Sequence, residues 1–315
     1  MKPEILLWDA IEARLRDVDL VGRMEEAFVA YSQGRCVIPP VGELAFSEPP
    51  GDVHIKYGYA RGGADYVVKI ASGFYENPAL GLPSSQGLML LFNQATGQLR
   101  SILLDEGRLT DARTGAAGAV AAKHLAPTRV DRIGIVGSGT QARYQAEYLR
   151  QVTRCREVRV WGRHADRASA CALELAEMGY QAAALTHLQE LVESSQIIVT
   201  TTPAREALVR SEWVMDGTHI TGVGSDTPEK IELDPLLVSR ARVVVDSLEQ
   251  CRSRGELYQA VSAGVLSHDV ADELGAVIDG QVVGRQTETE ITIADLTGVA
   301  AQDLFAASAV VDSVR

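Results

Sequence analysis

The sequence predicts an α/β protein: a doubly wound Rossmann domain joined to an α+β domain that is built from both ends of the chain. Three observations carry this. The short apolar strand Arg132-Ile133-Gly134-Ile135-Val136 runs directly into Gly137-Ser138-Gly139-Thr140-Gln141-Ala142 and then into a helical pattern, the strand–turn–helix order of a dinucleotide-binding turn. Beyond it, strand-like and helical stretches alternate, which builds a parallel sheet. Before it, strand-like runs follow one another across turns, which builds an antiparallel sheet.

The bulk properties fit that architecture. A length of 315 residues suits two domains of ordinary size. Hydrophobic residues make up 46% and charged residues 23%, the balance of a globular chain. The formal net charge of -12 argues against nucleic acid or an anionic membrane as partner. Cys36, Cys155, Cys171 and Cys251 form no CxxC pair, and the six histidines show no HExxH spacing, so neither a metal nor a disulfide framework is expected. Met1-Lys2-Pro3-Glu4 lacks the blocks of a signal peptide and no apolar run reaches membrane length, which makes the cytoplasm the expected compartment.

The elements follow in order. Leu15, Val18, Val21, Met24 and Ala27 recur at helical spacing, so residues 11–34 are expected as a helix stopped at Gly34. Residues 39–51 are turn-rich. Strands are expected at 53–57, at 66–70 after the Gly62-Gly63 turn, at 87–92, and at 101–104 after Thr96-Gly97. Residues 110–125 form an Ala-rich helix of small side chains, ended by Pro127. Then come a strand at 132–136, a helix from 141, a strand at 158–161, a helix running to 178–179, and strands at 196–200, 218–223 and 242–246. Residues 291–314 read as a strand and a helix that return to the first domain.

The glycine turn sets out a cofactor site. Gly137 permits the tight turn, Gly139 lets backbone approach a pyrophosphate at the helix N-terminus, and Ala142 allows close helix–strand packing. NAD sites usually place an acid at the end of the next strand. Here Trp161-Gly162-Arg163-His164 stands there, with Arg167 behind and Asp166 as the nearby acid. An arginine suits a 2′-phosphate, so NADP(H) is favoured over NAD(H). Thr200-Thr201-Thr202-Pro203 follows a later strand and either meets the cofactor or caps the next helix.

Further segments carry a family pattern. Val68-Lys69-Ile70 leads into Asn77-Pro78-Ala79-Leu80-Gly81-Leu82-Pro83. Leu109-Thr110-Asp111-Ala112-Arg113-Thr114-Gly115-Ala116-Ala117 comes next, and later Gly222-Val223-Gly224-Ser225-Asp226-Thr227-Pro228-Glu229-Lys230-Ile231-Glu232-Leu233. With the Gly137 turn, the chain resembles the ornithine cyclodeaminase/mu-crystallin family over almost its full length. The resemblance implies a Rossmann domain at 119–291 and a substrate-binding and dimerisation domain from 1–118 and 292–315, forming a homodimer through its sheet. It implies an enzyme that moves hydride between nicotinamide and a nitrogen-bearing α-carbon of a small imino or amino acid. Lys69 then corresponds to the active-site lysine, and Arg113 to the arginine that grips a carboxylate or a cofactor phosphate. Asp226 corresponds to the catalytic aspartate that handles a proton at nitrogen. Ser85, Arg113, Gly137, Ser138, Gly139, Thr140, Gln141, Arg163, Thr201, Gly224 and Asp226 are the implied cofactor contacts.

The residues also allow plainer roles. A lysine stem can cover apolar surface, an arginine on a helix can be solvated, and Asp226-Thr227-Pro228 is also good turn chemistry.

Two departures bear on substrate. Ornithine cyclodeaminase has an arginine after a proline in the early loop, where this chain reads Ile38-Pro39-Pro40-Val41. It also has a glutamate on the strand before the lysine strand, where this chain has Lys56. A lysine there repels a δ-ammonium and favours a carboxylate, so Lys56 joins Lys69 and Arg113 as a substrate-binding residue. Strand alternation puts His54 and Lys56 on one face without saying which face is inside. Thr297 stands where the family often has a serine near the nicotinamide. The leading expectation is an NAD(P)H-dependent imino acid reductase or amino acid dehydrogenase. The alternatives are ornithine cyclodeaminase and a mu-crystallin-like binding protein.

Overall fold

The structure, a computed structural model, describes residues 2–74 and 76–313. The chain divides into two compact units, Met1–Arg113 with Val299–Arg315, and Thr114–Gly298.

The first unit holds a seven-stranded sheet made from β1 (Glu4–Leu7), β2 (Cys36–Val37), β3 (Gly42–Ser47), β4 (Pro50–Ala60), β5 (Asp65–Gly73), β6 (Ser85–Asn93) and β7 (Leu99–Leu104). The order is β1-β7-β6-β5-β4-β2, with β3 also paired to β4. All pairings are antiparallel except β1 with β7. Helices α1 (Trp8–Leu15) and α2 (Leu20–Ser32) precede most of the sheet. The C-terminal helix Ala300–Asp312 packs on β4, β5 and β6 and on α2. Met24, Ala27 and Phe28 of α2 and Val67, Met89 and Leu91 of the sheet are buried. Burying a side chain of Phe or Met size contributes about 1.5–3 kcal/mol.

Three expectations change here. The helix expected over 11–34 is two helices, because the Asp19 carboxylate accepts the Gly22 N–H at 3.0 Å and caps a new start. The turn-rich stretch contains β3, since Leu44 and Phe46 pair along the unusually long β4 and only Glu48-Pro49 forms the turn. Residues 4–7 form β1 at the sheet edge, too short a run to stand out in the sequence.

The second unit is an eight-stranded sheet. In chain order it has β8 (Ile133–Val136), β9 (Glu157–Trp161), β10 (Gln181–Ala184), β11 (Ile197–Thr200), β12 (His219–Gly222), β13 (Arg242–Val245), β14 (Asp272–Glu273) and β15 (Thr292–Asp295). Every pairing is parallel, in the order β10-β9-β8-β11-β12-β15-β13-β14. Helix α3 (Arg108–Leu125) contains the division between the units and enters this one. Helices α4 (Thr140–Val152), α5 (Ala165–Glu177), α6 (Leu188–Ser194), α7 (Pro235–Ser239), α8 (Gly255–Ser262) and α9 (Leu274–Ile278) fill the crossovers and loops. β8, β11, β12 and β15 are buried throughout, which is why β8 and β11 read as largely apolar runs. The order reverses between β8 and β11, and the loops at that switch point are where an open parallel sheet places ligands.

The unit boundaries differ from the expected ones. Thr292–Asp295 hydrogen-bonds between β12 and β13 and so belongs to the second sheet. The chain rejoins the first unit at Val299 rather than at 292, and leaves it after Arg113 rather than after 118. Among the described residues, no helix is long and apolar enough to cross a membrane, and no group of three or more His, Cys, Asp or Glu is placed to hold a metal.

Candidate active site

In the first unit a charged cluster lies under the sheet. Alternation along β5 turns Asp65, Val67 and Lys69 inward. Lys69 is 2% exposed, and its Nζ lies 3.0 Å from Asp303 Oδ1 and 2.9 Å from Oδ2. Arg113, from the first turns of α3, is 4% exposed and donates from Nε to Asp303 Oδ1 at 2.9 Å. Its Nη1 donates to Gln302 Oε1 at 3.0 Å. Gln302 Oε1 also accepts the Val299 N–H that opens the C-terminal helix. Lys56 stands directly opposite Lys69 in the β4–β5 register, so the two side chains share a face.

Electrostatics follow from that packing. Burial lowers the Lys69 pKa to about 7, helped by the Arg113 and Lys56 cations and opposed by Asp303. Asp303, although fully buried, is held below the usual carboxylate range by Arg113, Lys69 and Lys56. Burial and the neighbouring cations thus weaken the hold of Lys69 on its proton, and Asp303 strengthens it.

The second unit carries the dinucleotide cradle. Gly137 has φ +122°, and a Cβ on it would lie 2.4 Å from Thr201 Oγ1, so only glycine fits. Gly139 caps α4, and a Cβ there would meet nothing within 4 Å. As the N-cap, Gly139 offers the first-turn N–H groups no side chain, which leaves room for an anion there. Arg143 braces the turn from behind, donating from Nη1 to the Ser138 and Gly139 carbonyls at 2.9 Å while paired with Glu174. Ser138 sits beside Gly162, where a Cβ would lie 2.9 Å from its Oγ. Arg163 and Asp166 are exposed at the end of β9 and the start of α5. These residues fit a nicotinamide dinucleotide: an open anion site, a tight glycine turn and a second-strand end without an acid.

Buried carboxyls tie the neighbouring loops together. Glu232 accepts from Thr200 Oγ1 at 2.8 Å, from Thr202 N at 2.6 Å and Oγ1 at 2.8 Å, and from Gly224 N at 2.8 Å. Glu256 accepts the backbone N–H groups of Glu232 and Leu233, and Asp295 that of Leu257. Burial raises the Glu232 and Asp295 pKa values to about 7 and pushes Glu256 well above the ordinary value. These groups hold the turns after β11 and β12 in shape.

The sequence-predicted residues separate between the units. Lys56, Lys69 and Arg113 come together in the first. Ser85 also lies there, exposed at the start of β6. Gly137, Ser138, Gly139, Thr140, Gln141, Arg163, Thr201, Gly224 and Asp226 lie in the second. Arg113 bonds to Asp303 and Gln302 in this structure. The Asp226 carboxylate is paired with Lys230 Nζ at 2.6 Å. The Thr297 hydroxyl is committed to loop structure, donating to Asp246 Oδ1 and accepting from Gln250, both at 2.9 Å. Asp303, Gln302, Arg143, Glu232 and Glu256 were not singled out by the sequence. A charged Asp inside the otherwise apolar C-terminal pattern was the available signal for Asp303.

A Rossmann unit with a tight glycine turn, in a chain whose other unit buries a lysine and an arginine together, defines a protein of the dinucleotide-binding class. The chain belongs to the ornithine cyclodeaminase/mu-crystallin family, whose model matches residues 1–315. It is 42% identical over 299 residues to a putative dehydrogenase of Rhizobium meliloti (strain 1021), covering 93% of this chain and 91% of that one. It is 37% identical over 316 residues to an alanine dehydrogenase of Archaeoglobus fulgidus, covering 99% and 95%. A solved archaeal alanine dehydrogenase dimer with bound NAD matches with a TM-score of 0.92 and 34% identity, over 100% of this chain and 96% of that one. The Δ1-pyrroline-2-carboxylate reductase of Thermococcus litoralis, in complex with NADH and L-proline, matches at 0.94 and 28%, over 99% and 97%. The iminosuccinate reductase of Paracoccus denitrificans in complex with NAD+ matches at 0.89 and 31%, over 99% and 96%.

Proposed function

We propose that this protein is a nicotinamide-dependent oxidoreductase that reduces a small imino acid, and in reverse dehydrogenates the amino acid. The observation that carries the reading is the buried Lys69–Arg113 pair, with Lys56 opposite, in a chain whose relatives act on alanine, pyrroline-2-carboxylate and iminosuccinate. The bound nicotinamide supplies or accepts the hydride. Arg113 and Lys69 hold the substrate carboxylate, and the desolvated site strengthens that attraction. Lys56 adds a cation that disfavours a substrate ammonium. Asp226 handles the proton at the substrate nitrogen.

The cradle is read as favouring NADP(H). Arg163 at the end of β9 offers a cation for a 2′-phosphate, and no acid stands there for the ribose hydroxyls. We read the assembly as a homodimer formed through the first unit, whose edge strand β1 exposes Ile5 and Leu7. The four free cysteines suit a reducing cytoplasm.

The test is a cofactor assay. The protein is mixed with NADPH or NADH and either cyclic imino acids or keto acids plus amines, and nicotinamide absorbance is followed. Consumption that needs the imino acid, faster with NADPH, is expected. Conversion of ornithine to proline and ammonia without net cofactor change would overturn the reading.

A further inference from the structure

The carboxylate of Asp303 is the anion on which the buried Lys69 and Arg113 of the first unit converge. Oδ1 accepts from Lys69 Nζ at 3.0 Å and from Arg113 Nε at 2.9 Å, and Oδ2 lies 2.9 Å from Lys69 Nζ. We infer that Asp303 is a positioning residue: it fixes the Lys69 ammonium and the Arg113 guanidinium in a single geometry and keeps Lys69 protonated for substrate. The inference rests on the reading of Lys69 and Arg113 as carboxylate-binding groups.

The geometry favours this over a purely structural ion pair. Two buried cations share the one carboxylate of Asp303, Lys69 through both oxygens and Arg113 through Oδ1. Asp303 engages Arg113 through Nε and Gln302 engages it through Nη1, so the guanidinium is aimed while neither holds Nη2. Asp303 also sits in the first turn of the C-terminal helix, where the backbone dipole supports an anion.

The groups facing Lys69 can be named by element. β4 offers Lys56, with His54 following on the same face, and β6 offers neutral Met89 in register. α3 offers Arg113, and the C-terminal helix offers Asp303 and neutral Gln302. Asp303 supplies the negative charge that raises the Lys69 pKa against burial and the two cations. Removing it must lower the pKa further, because an adjacent opposite charge favours the protonated form by about one to three pH units.

The test uses the full chain labelled at lysine. The Lys69 ammonium is titrated by NMR in wild type and in Asp303→Asn, with the signal assigned by its loss in Lys69→Met. The Lys69 midpoint is expected to fall by about one unit or more. The alkaline limb of kcat/KM with an imino acid should fall with it, and KM should rise more than kcat declines. An unmoved midpoint and an unmoved limb would overturn the inference. If Asp303→Asn does not fold, Lys69→Met reads the same coupling from the other side. The Asp303 carboxyl carbon must then titrate at higher pH than in wild type, and identical titrations would overturn the inference. A wild-type chain inert toward every imino acid, but with a Lys69 midpoint that moves in Asp303→Asn, would sink the functional reading and leave the tuning by Asp303 standing. The converse would sink the inference alone.

Discussion

Two buried clusters, one in each unit, handle charge in opposite ways. In the first, Lys69 and Arg113 meet Asp303, and cations outnumber the anion. In the second, Glu232, Glu256 and Asp295 are buried and answered by backbone N–H groups and threonine hydroxyls. Burial alone penalises both arrangements. The difference shows what each is for. Carboxyls matched to backbone donors hold loops in place. In the proposed function the buried Lys69 and Arg113 hold a ligand.

The largest expected effect breaks the first arrangement. Lys69→Met should lower kcat/KM with an imino acid by about 10²–10⁴-fold, while NADPH affinity, measured by fluorescence titration, stays within about twofold. Loss of cofactor binding instead would erase the distinction between the units.

The second arrangement breaks differently. Glu232→Ala leaves the Thr202 and Gly224 N–H groups without their acceptor and should cost about 3 kcal/mol in chemical denaturation, loosening cofactor binding with it. Glu232→Gln should cost less and should change the pH dependence. The folded pKa of Glu232 is raised to about 7 from an ordinary 4.5. The folded state therefore favours the protonated form, and the stability this contributes is lost as pH rises from about 4.5 through 7. Glu232→Gln should flatten that part of the Tm-against-pH curve, and an unchanged slope would contradict the account.

The smallest effect sharpens the cofactor side. Arg163 is exposed, so Arg163→Ser should raise KM for NADPH by about tenfold or less and leave KM for NADH unchanged.

Some of this was legible because its signal is local. The Gly137 turn needs its glycines where they stand, and the strand before it is buried on both sides, so six consecutive letters and their flanks reveal it. Lys69 stood out as a charge inside an apolar run. The face occupied by Lys56 was not legible, since β4 is half-buried along most of its length. Only the register opposite Lys69 decides it. Asp303 reaches Lys69 across 234 positions of chain, a pairing created by the C-terminal helix returning to the first sheet. Thr292–Asp295 joins the second sheet and not the first for a related reason: the letters of a short buried strand do not tell where it inserts. The break between α1 and α2 hung on an Asp19 cap inside an otherwise continuous apolar pattern.

The most direct measurement follows the hydride itself. NADPH deuterated at the transferred position is incubated with the wild-type chain and a cyclic imino acid, and the product is analysed by mass spectrometry. The account predicts an amino acid carrying deuterium at its α-carbon, formed in step with cofactor oxidation. Absence of product, or product without the label, would contradict it.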